Sequence, residues 1–327
     1  MKFQVGYQDD PRLIGYLLKY REKISEVYFP WKDFTTGRGI FAVDSKSNIA
    51  TDLQELSAAG VRLCLLLNGN CYGKAVLMPD FFRQLGNTVE YLTGSYNVVK
   101  VTVASPVIAG FIRRNFPEIQ ICASVNMEIG TPEGIEYLLD DFDSFYLKRE
   151  YNYDLERIVL MRDFCRRHGK QLYILANSGC LNFCSARTFH DNLVAHQHEI
   201  ENGAMEFRSI CTQFLQKADN IKKILGKSNF IRPEDVHYYE NFCDGMKLAT
   251  RTNFNPLQIV HAYFNGKFSG NLLDLTEPAH SALLAGSIIA NNRISAEYAE
   301  HRFQCGNRCE SCDFCREIQE KAIINLQ

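Results

Sequence analysis

The stretch VRLCLLLN at Val61–Asn68 holds five consecutive apolar residues, Leu63 to Leu67, and ends on a polar one. A run this short, and apolar without alternation, reads as a strand covered on both faces, as in a parallel sheet packed between helices. QLYILANSG at Gln171–Gly179 repeats the pattern. Working outward from these two, six more runs rich in β-branched and aromatic residues appear: FQVGY (Phe3–Tyr7), SEVYFPW (Ser25–Trp31), VVKVTVAS (Val98–Ser105), IQICASVN (Ile119–Asn126), SFYLKRE (Ser144–Glu150) and GMKLATRT (Gly245–Thr252).

Helical periodicity fills the gaps. Leu13, Leu17 and Tyr20 recur at i, i+4 and i+7 in Asp10–Tyr20, and Asn48–Ala59 closes on Gly60. Thr131 is an N-cap ahead of Pro132 at the first helical position, and the helix after Tyr153 ends in basic residues and Gly169. Strand–helix units in series imply parallel pairing. Eight units in roughly 250 residues match a (β/α)8 TIM-type barrel, α/β in class. A doubly wound open sheet would show similar runs, but no Gly-rich phosphate turn follows the first strand. The barrel is expected over residues 1–290, interrupted by an insertion at 180–229 after the seventh strand, with a Cys-rich C-terminal tail at 291–327.

The chain has 327 residues, 46% hydrophobic, and a formal charge of −2, so nothing in the overall charge draws it to nucleic acid or an anionic membrane. The first residues lack the apolar stretch of a secretory signal and no run is long enough to span a bilayer, which points to a cytoplasmic protein without disulfides. In that compartment the twelve cysteines read as metal or redox groups first.

The tail CGNRCESCDFC sets Cys305, Cys309, Cys312 and Cys315 within eleven residues. The spacing resembles, in reverse order, the compact runs that wrap a cluster in bacterial ferredoxins. A zinc site of four cysteines usually draws two pairs from separate knuckles, and only one compact half is present here. NSGCLNFCSAR places Cys180 and Cys184 just past the seventh strand, on the face where barrels build active sites, and at i and i+4 their sulfurs share one side if the segment is helical. Cys211 stands alone in the same insertion. Cys64, Cys122, Cys165 and Cys243 lie in apolar patterns and read as core.

Asn177–His196 (NSGCLNFCSARTFHDNLVAH), Phe230–Thr252 and FNGKFSGNLLDL at Phe264–Leu275 resemble the peptidase U32 family, collagenase-like proteins with a barrel core. The likeness runs from about the third strand to the tail. Members understood in chemical terms bind a [4Fe–4S] cluster through four cysteines and take part in oxygen-independent hydroxylation of ubiquinone precursors or RNA bases. The resemblance therefore implies an iron–sulfur oxidoreductase or hydroxylase, or a subunit of one with a paralogous partner in a heterodimer. Its substrate would be a small aromatic, prenylated or RNA-base compound. Cluster ligands carry over to Cys180, Cys184 and Cys211, the fourth being open. The close spacing of 180 and 184 and the tail cysteines depart from the fuller family pattern.

Arg187, His190, Asn192 and His196 fall in the family segment and are candidate catalytic residues, the histidines as proton carriers. Asn68, Asn126, Glu128, Arg149, Glu150, Asn177 and Arg251 lie at or past strand ends and are candidate substrate-binding groups, with Arg149 and Arg251 suited to a carboxylate or phosphate. No G-x-S-x-G elbow and no H-E-x-x-H motif is present, so serine or zinc peptidase chemistry has no motif behind it. Two alternatives remain open: a hydrolase of the U32 type with structural zinc or a nucleophilic cysteine, and a non-catalytic, metal-stabilised subunit of a complex.

Overall fold

A computed structural model describes residues 1–40, 47–197 and 209–326. Eight parallel strands close into a barrel: β1 (Phe3–Gly6), β2 (Ile24–Phe29), β3 (Leu63–Leu67), β4 (Val98–Val103), β5 (Gln120–Ala123), β6 (Ser144–Tyr146), β7 (Gln171–Leu175) and β8 (Gly245–Leu248). All eight strands expected from sequence are present, and the barrel closes where β8 pairs with β1, Met246 opposite Phe3. At this seam Thr250 Oγ1 accepts from the Gly6 amide and donates to the Gly6 carbonyl, both at 2.9 Å.

Capping side chains start most of the outer helices. Asp10 caps α1 (Pro11–Lys19), Ser105 caps α4 (Pro106–Asn115), Thr131 caps α5 (Pro132–Glu136) and Asp154 caps α6 (Leu155–Arg167). Three of these open with proline, whose fixed φ and missing amide suit the first turn. Between α1 and α4 lie α2 (Ile49–Ala58) and α3 (Pro79–Tyr96). Outward strand residues such as Val5, Val27, Leu65, Val101, Ile121, Phe145, Ile174 and Met246 pack beneath this layer as the main core.

The inside of the barrel departs from the expectation of apolar residues on both strand faces. Glu26 and Lys100 form a buried ion pair at 2.9 Å, and Lys100 sits 4.4 Å from the ring centre of Tyr173. Tyr146 donates to Gln4 across the lumen, and Lys247 lies 4.0 Å from the ring centre of Tyr28 and 5.2 Å from that of Tyr146. Cys64 and Cys122 are fully buried, as expected for core cysteines, but they join this polar interior: Cys64 Sγ is 3.2 Å from Thr102 Oγ1. Cys165 is buried under the helices, whereas Cys243 is only partly buried. Runs such as LCLLL hide the polar lumen because one cysteine among leucines carries no polar signal.

The insertion at 180–229 forms α7 (Arg187–Ala195), α8 (Ile210–Leu215), α9 (Ala218–Ile221) and α10 (Ile224–Lys227), with residues 198–208 outside the described ones. After β8 and α11 (Pro256–Asn265) comes β9 (Ser287–Ile289), and the tail forms α12 (Glu297–Gln304), α13 (Phe314–Ala322) and β10 (Ile323–Asn325), which pairs antiparallel with β9. Insertion and tail share a second apolar core that includes Leu215, Ile224, Leu225, Tyr298, Ile318 and Ala322. Arg302 on α12, buried, donates to the carbonyls of Leu225 (2.6 Å) and Ser228 (3.1 Å), and the Tyr298 hydroxyl also donates to Leu225 O (2.8 Å).

Because the Glu26–Lys100 pair is desolvated, removing one partner strands a charge inside the barrel. Glu26→Leu or Lys100→Met alone is expected to cost about 3–5 kcal/mol, while the double variant recovers most of that loss. Urea unfolding of the three variants measures the difference.

Candidate functional site

The mouth at the carboxyl ends of the strands is built from the loops that follow them. Its cavity is lined by Arg38 from the loop after β2, Asn68 after β3, Asn126 after β5, Arg149 after β6, Lys247 and Arg251 from β8 and its loop, and Glu277. Tyr28, Leu66, Val125 and Leu175 form its lower, less polar wall. Gly6 at the end of β1 makes this crowding possible: a Cβ there would stand 2.8 Å from Arg251 Cγ and from the Tyr28 ring.

Two of the four cations are matched. Arg38 Nε meets Glu277 Oε1 at 2.7 Å, and Arg149 meets Glu128 Oε1 at 3.1 Å and Asn126 Oδ1 at 2.5 Å. Burial works against the Glu277 charge, but Arg38 and Arg251 outweigh it and hold the carboxyl below its ordinary value. Glu128, in contrast, is raised by burial in spite of Arg149 and Arg187. Arg251 donates to Thr36 Oγ1 at 3.0 Å and acts on Glu277 only from longer range, and Lys247 lies against the Tyr28 and Tyr146 rings, so among the described residues neither forms an ion pair. Burial pushes Arg251 down to about 10 and Lys247 down to about 8. The sequence reading missed Lys247, Arg38 and Glu277. Lys247 was visible as the lone charge inside GMKLAT, at an inward strand position.

Of the other expected substrate groups, Asn68 lies in the mouth, accepting from Gly37 N (3.3 Å) and donating to Ser124 Oγ (3.4 Å). Asn177 does not face the cavity. It is fully buried, donates to Ala249 O (2.8 Å) and Leu275 O (2.9 Å), accepts from Ala249 N (2.6 Å), and ties the loops after β7 and β8 together. Glu150 is likewise buried, accepting from Arg187 at 2.9 Å and from Phe183 N at 3.3 Å. Arg187 also donates to Leu181 O at 3.0 Å and lies 3.8 Å from Glu128, so Arg149, Glu128, Arg187 and Glu150 form a continuous charge chain beside the mouth.

The expected catalytic histidines part company. His190, on α7 and half-buried, lies within electrostatic reach of Arg38 and Arg187, and burial lowers its imidazole below the usual value. His196, at the end of α7, lines a separate groove with Cys71, Tyr72 and Phe81. Six residues apart on a helix, the two cannot face the same point. Asn192, partly buried, lies between them on α7.

The cysteines fall into two groups. Cys180–Cys184 is a turn, with Phe183 in the left-handed region at φ 52°, so the shared helical face expected for the pair does not form. The Cys180 thiol is within electrostatic reach of Arg38 and Arg187. Cys211 opens α8, 2.8 Å from Ser209 Oγ. By contrast Cys305, Cys309, Cys312 and Cys315 line one pocket with Gly226, His301 and Arg302. Cys309 Sγ is 3.7 Å from Gly226 O, and Cys312 Sγ is 3.6 Å from His301 Nε2. A Cβ on Gly226 would stand 3.3 Å from Cys315 Cβ.

Among the described residues no three of His, Cys, Asp or Glu are gathered closely enough to hold an ion as they stand, the trio of 180, 184 and 211 included. The tail pocket nevertheless has the right donors. Four thiols, with buried Arg302 beside them to offset thiolate charge, suit a soft metal or an iron–sulfur cluster. None of the twelve cysteines is in a disulfide, and no helix among the described residues is long and apolar enough to cross a membrane.

These features define a (β/α)8 barrel with a cationic mouth and a cysteine-lined appendage. No family model matches the chain. An uncharacterized protease of Methanocaldococcus jannaschii is 24% identical over 322 residues, spanning 93% of this chain and 90% of the relative. The solved U32 peptidase Mk0906 shares the fold, with a TM-score of 0.54, 15% identity, and coverage of 76% of this chain and 91% of that one. The relative aligns over nearly the whole chain and the solved U32 peptidase shares its barrel, in line with the resemblance read from Asn177–His196 and Phe230–Thr252.

With three hydrogen bonds from one buried amide, Asn177→Ala is expected to cost about 1–3 kcal/mol for each group left unpaired. Thermal unfolding measures that loss. Phosphate affinity of the protein that remains folded stays unchanged, in contrast to a residue that touches ligand.

Proposed function

We propose that the chain is an iron–sulfur enzyme, or enzyme subunit, of the U32 type that takes a compact anionic substrate at the barrel mouth. The observation that carries this reading is that the four tail thiols line one pocket beside a buried arginine. The residues that would hold the cluster are Cys305, Cys309, Cys312 and Cys315, and when bound it supplies one-electron chemistry. Cys180, nearer the cationic rim, is then available to a second centre or to substrate.

The mouth supports an anion over a prenylated compound. Its rim is set by Arg38, Arg149 and Arg251, and its apolar wall is small. Among the described residues Lys247 and Arg251 form no ion pair, so a ligand carboxylate or phosphate would complete them. Gly37 and Asn68 add an amide and a carboxamide at the rim.

The relative's printed name favours a peptidase as the second reading. Its chemistry needs a thiolate beside an imidazole, and Cys312 with His301 at 3.6 Å is such a pair, on the tail.

Protein prepared without oxygen is expected to contain iron and sulfide, to lose most of both in Cys309→Ser, and to keep more in Cys180→Ser. Zinc near one equivalent without iron would instead favour the structural-zinc alternative. For the mouth, Arg251→Met is expected to weaken phosphate binding about tenfold, ~1.4 kcal/mol, by calorimetry.

A further inference from the structure

We infer that Lys247 is an imine-forming lysine and that the mouth accepts a small carbonyl compound bearing a carboxylate or phosphate, such as a 2-oxo acid. The inference rests on the reading of the mouth as an anion site and adds the functional group of its ligand.

The barrel interior holds two lysines with opposite surroundings. Lys100 is locked to Glu26 at 2.9 Å, and that carboxylate holds its ammonium above the ordinary value against the effect of burial. Lys247, two strands from Glu26 and opposite Gln4 and Leu175 in the ladder, has neither ion pair nor hydrogen bond among the described residues. It is buried yet lines the open cavity. An amine in that position keeps its lone pair only if nothing nearby enforces its charge. The groups around it are Tyr28 and Tyr146, whose rings flank it, Arg251 above, the buried thiols of Cys64 and Cys122, and at longer range Glu26, whose carboxylate favours the ammonium but is itself paired with Lys100. Arg251 disfavours a second positive charge, and the two thiols are themselves pushed upward by burial and so stay neutral.

The flanking hydroxyls are committed elsewhere: Tyr28 donates to Leu248 O at 2.7 Å and Tyr146 donates to Gln4. They fix the rings on either side of the amine, which lines the cavity between them. With the ligand's anionic end at Arg251 and the rim, its carbonyl carbon falls toward the amine. The nitrogen lone pair forms a C–N bond while the carbonyl oxygen takes up a proton. Loss of two nitrogen-bound protons in all and departure of that oxygen as water give the imine, with no net oxidation or reduction. A desolvated, unpaired lysine close to another cation is a recognised setting for such chemistry.

The test is borohydride trapping of the full-length protein with glyoxylate or pyruvate, read by intact mass and peptide mapping, beside calorimetry with oxalate, an anion with no electrophilic carbonyl. One adduct per chain at Lys247, absent in Lys247→Met and retained in Lys100→Met, is the expected result. Trapping should rise with pH and level off near pH 8 to 9 in place of climbing toward 10 as a surface lysine does. Should oxalate bind while adducts are missing or scattered over surface lysines, the imine is overturned and the anion site stands. Failure of both overturns both. Mapping on the unmutated chain keeps the result decisive even if Lys247→Met does not fold.

Discussion

A carboxylate and an ammonium meet inside a closed wall of eight strands, and the remaining interior is organised around that meeting. Glu26 and Lys100 neutralise each other on neighbouring sides of β3, so the lower lumen carries no net charge. One further lysine and a loop arginine at the mouth form no such close pair among the described residues. An apolar lumen would have made a sturdier scaffold with nothing to offer a ligand. Here the polar residues alternate with the outward leucines and valines that hold the helices, so stability and chemistry use opposite faces of the same strands.

Insertion and tail depend on a second buried cation. Arg302 reaches the backbone of α10 and, with Tyr298, supplies donors to carbonyls that a four-residue helix leaves open. Two segments separated in sequence by the whole of β8 and α11 thereby become one layer. The tail thiols owe their common pocket to this clamp, since Cys309 and Cys315 both rest on the α10 segment while Cys305 follows Arg302 by three residues.

The strands and their order were legible because burial on both faces leaves long apolar runs, and the helices because proline and capping residues mark their starts. The compact cysteine motif was legible for a simpler reason: four of eleven consecutive residues are cysteines, and the fold turns all four toward one pocket. What sequence could not convey was direction. Asn177 and Asn68 both follow strand ends, yet one turns inward to bind two neighbouring loops and the other faces the cavity. The i, i+4 spacing of Cys180 and Cys184 suggested a helix, but Phe183 in the left-handed region breaks it. Glu277 lies twenty-six residues beyond Arg251 and joins the mouth only through long-range folding.

Gly226 sits where two surfaces meet. Its carbonyl takes Cys309 from one side and the Asn182 carboxamide, at 3.5 Å, from the other, while Lys227 O accepts the Asn182 amide at 2.7 Å. Asn182 belongs to the very turn that carries Cys180 and Cys184. A single peptide plane is thus a party wall between two cysteine neighbourhoods, and a shift of that carbonyl is felt on both sides. A Cβ at this position would press on Cys315 Cβ at 3.3 Å, beside the same carbonyl that receives the Cys180 turn.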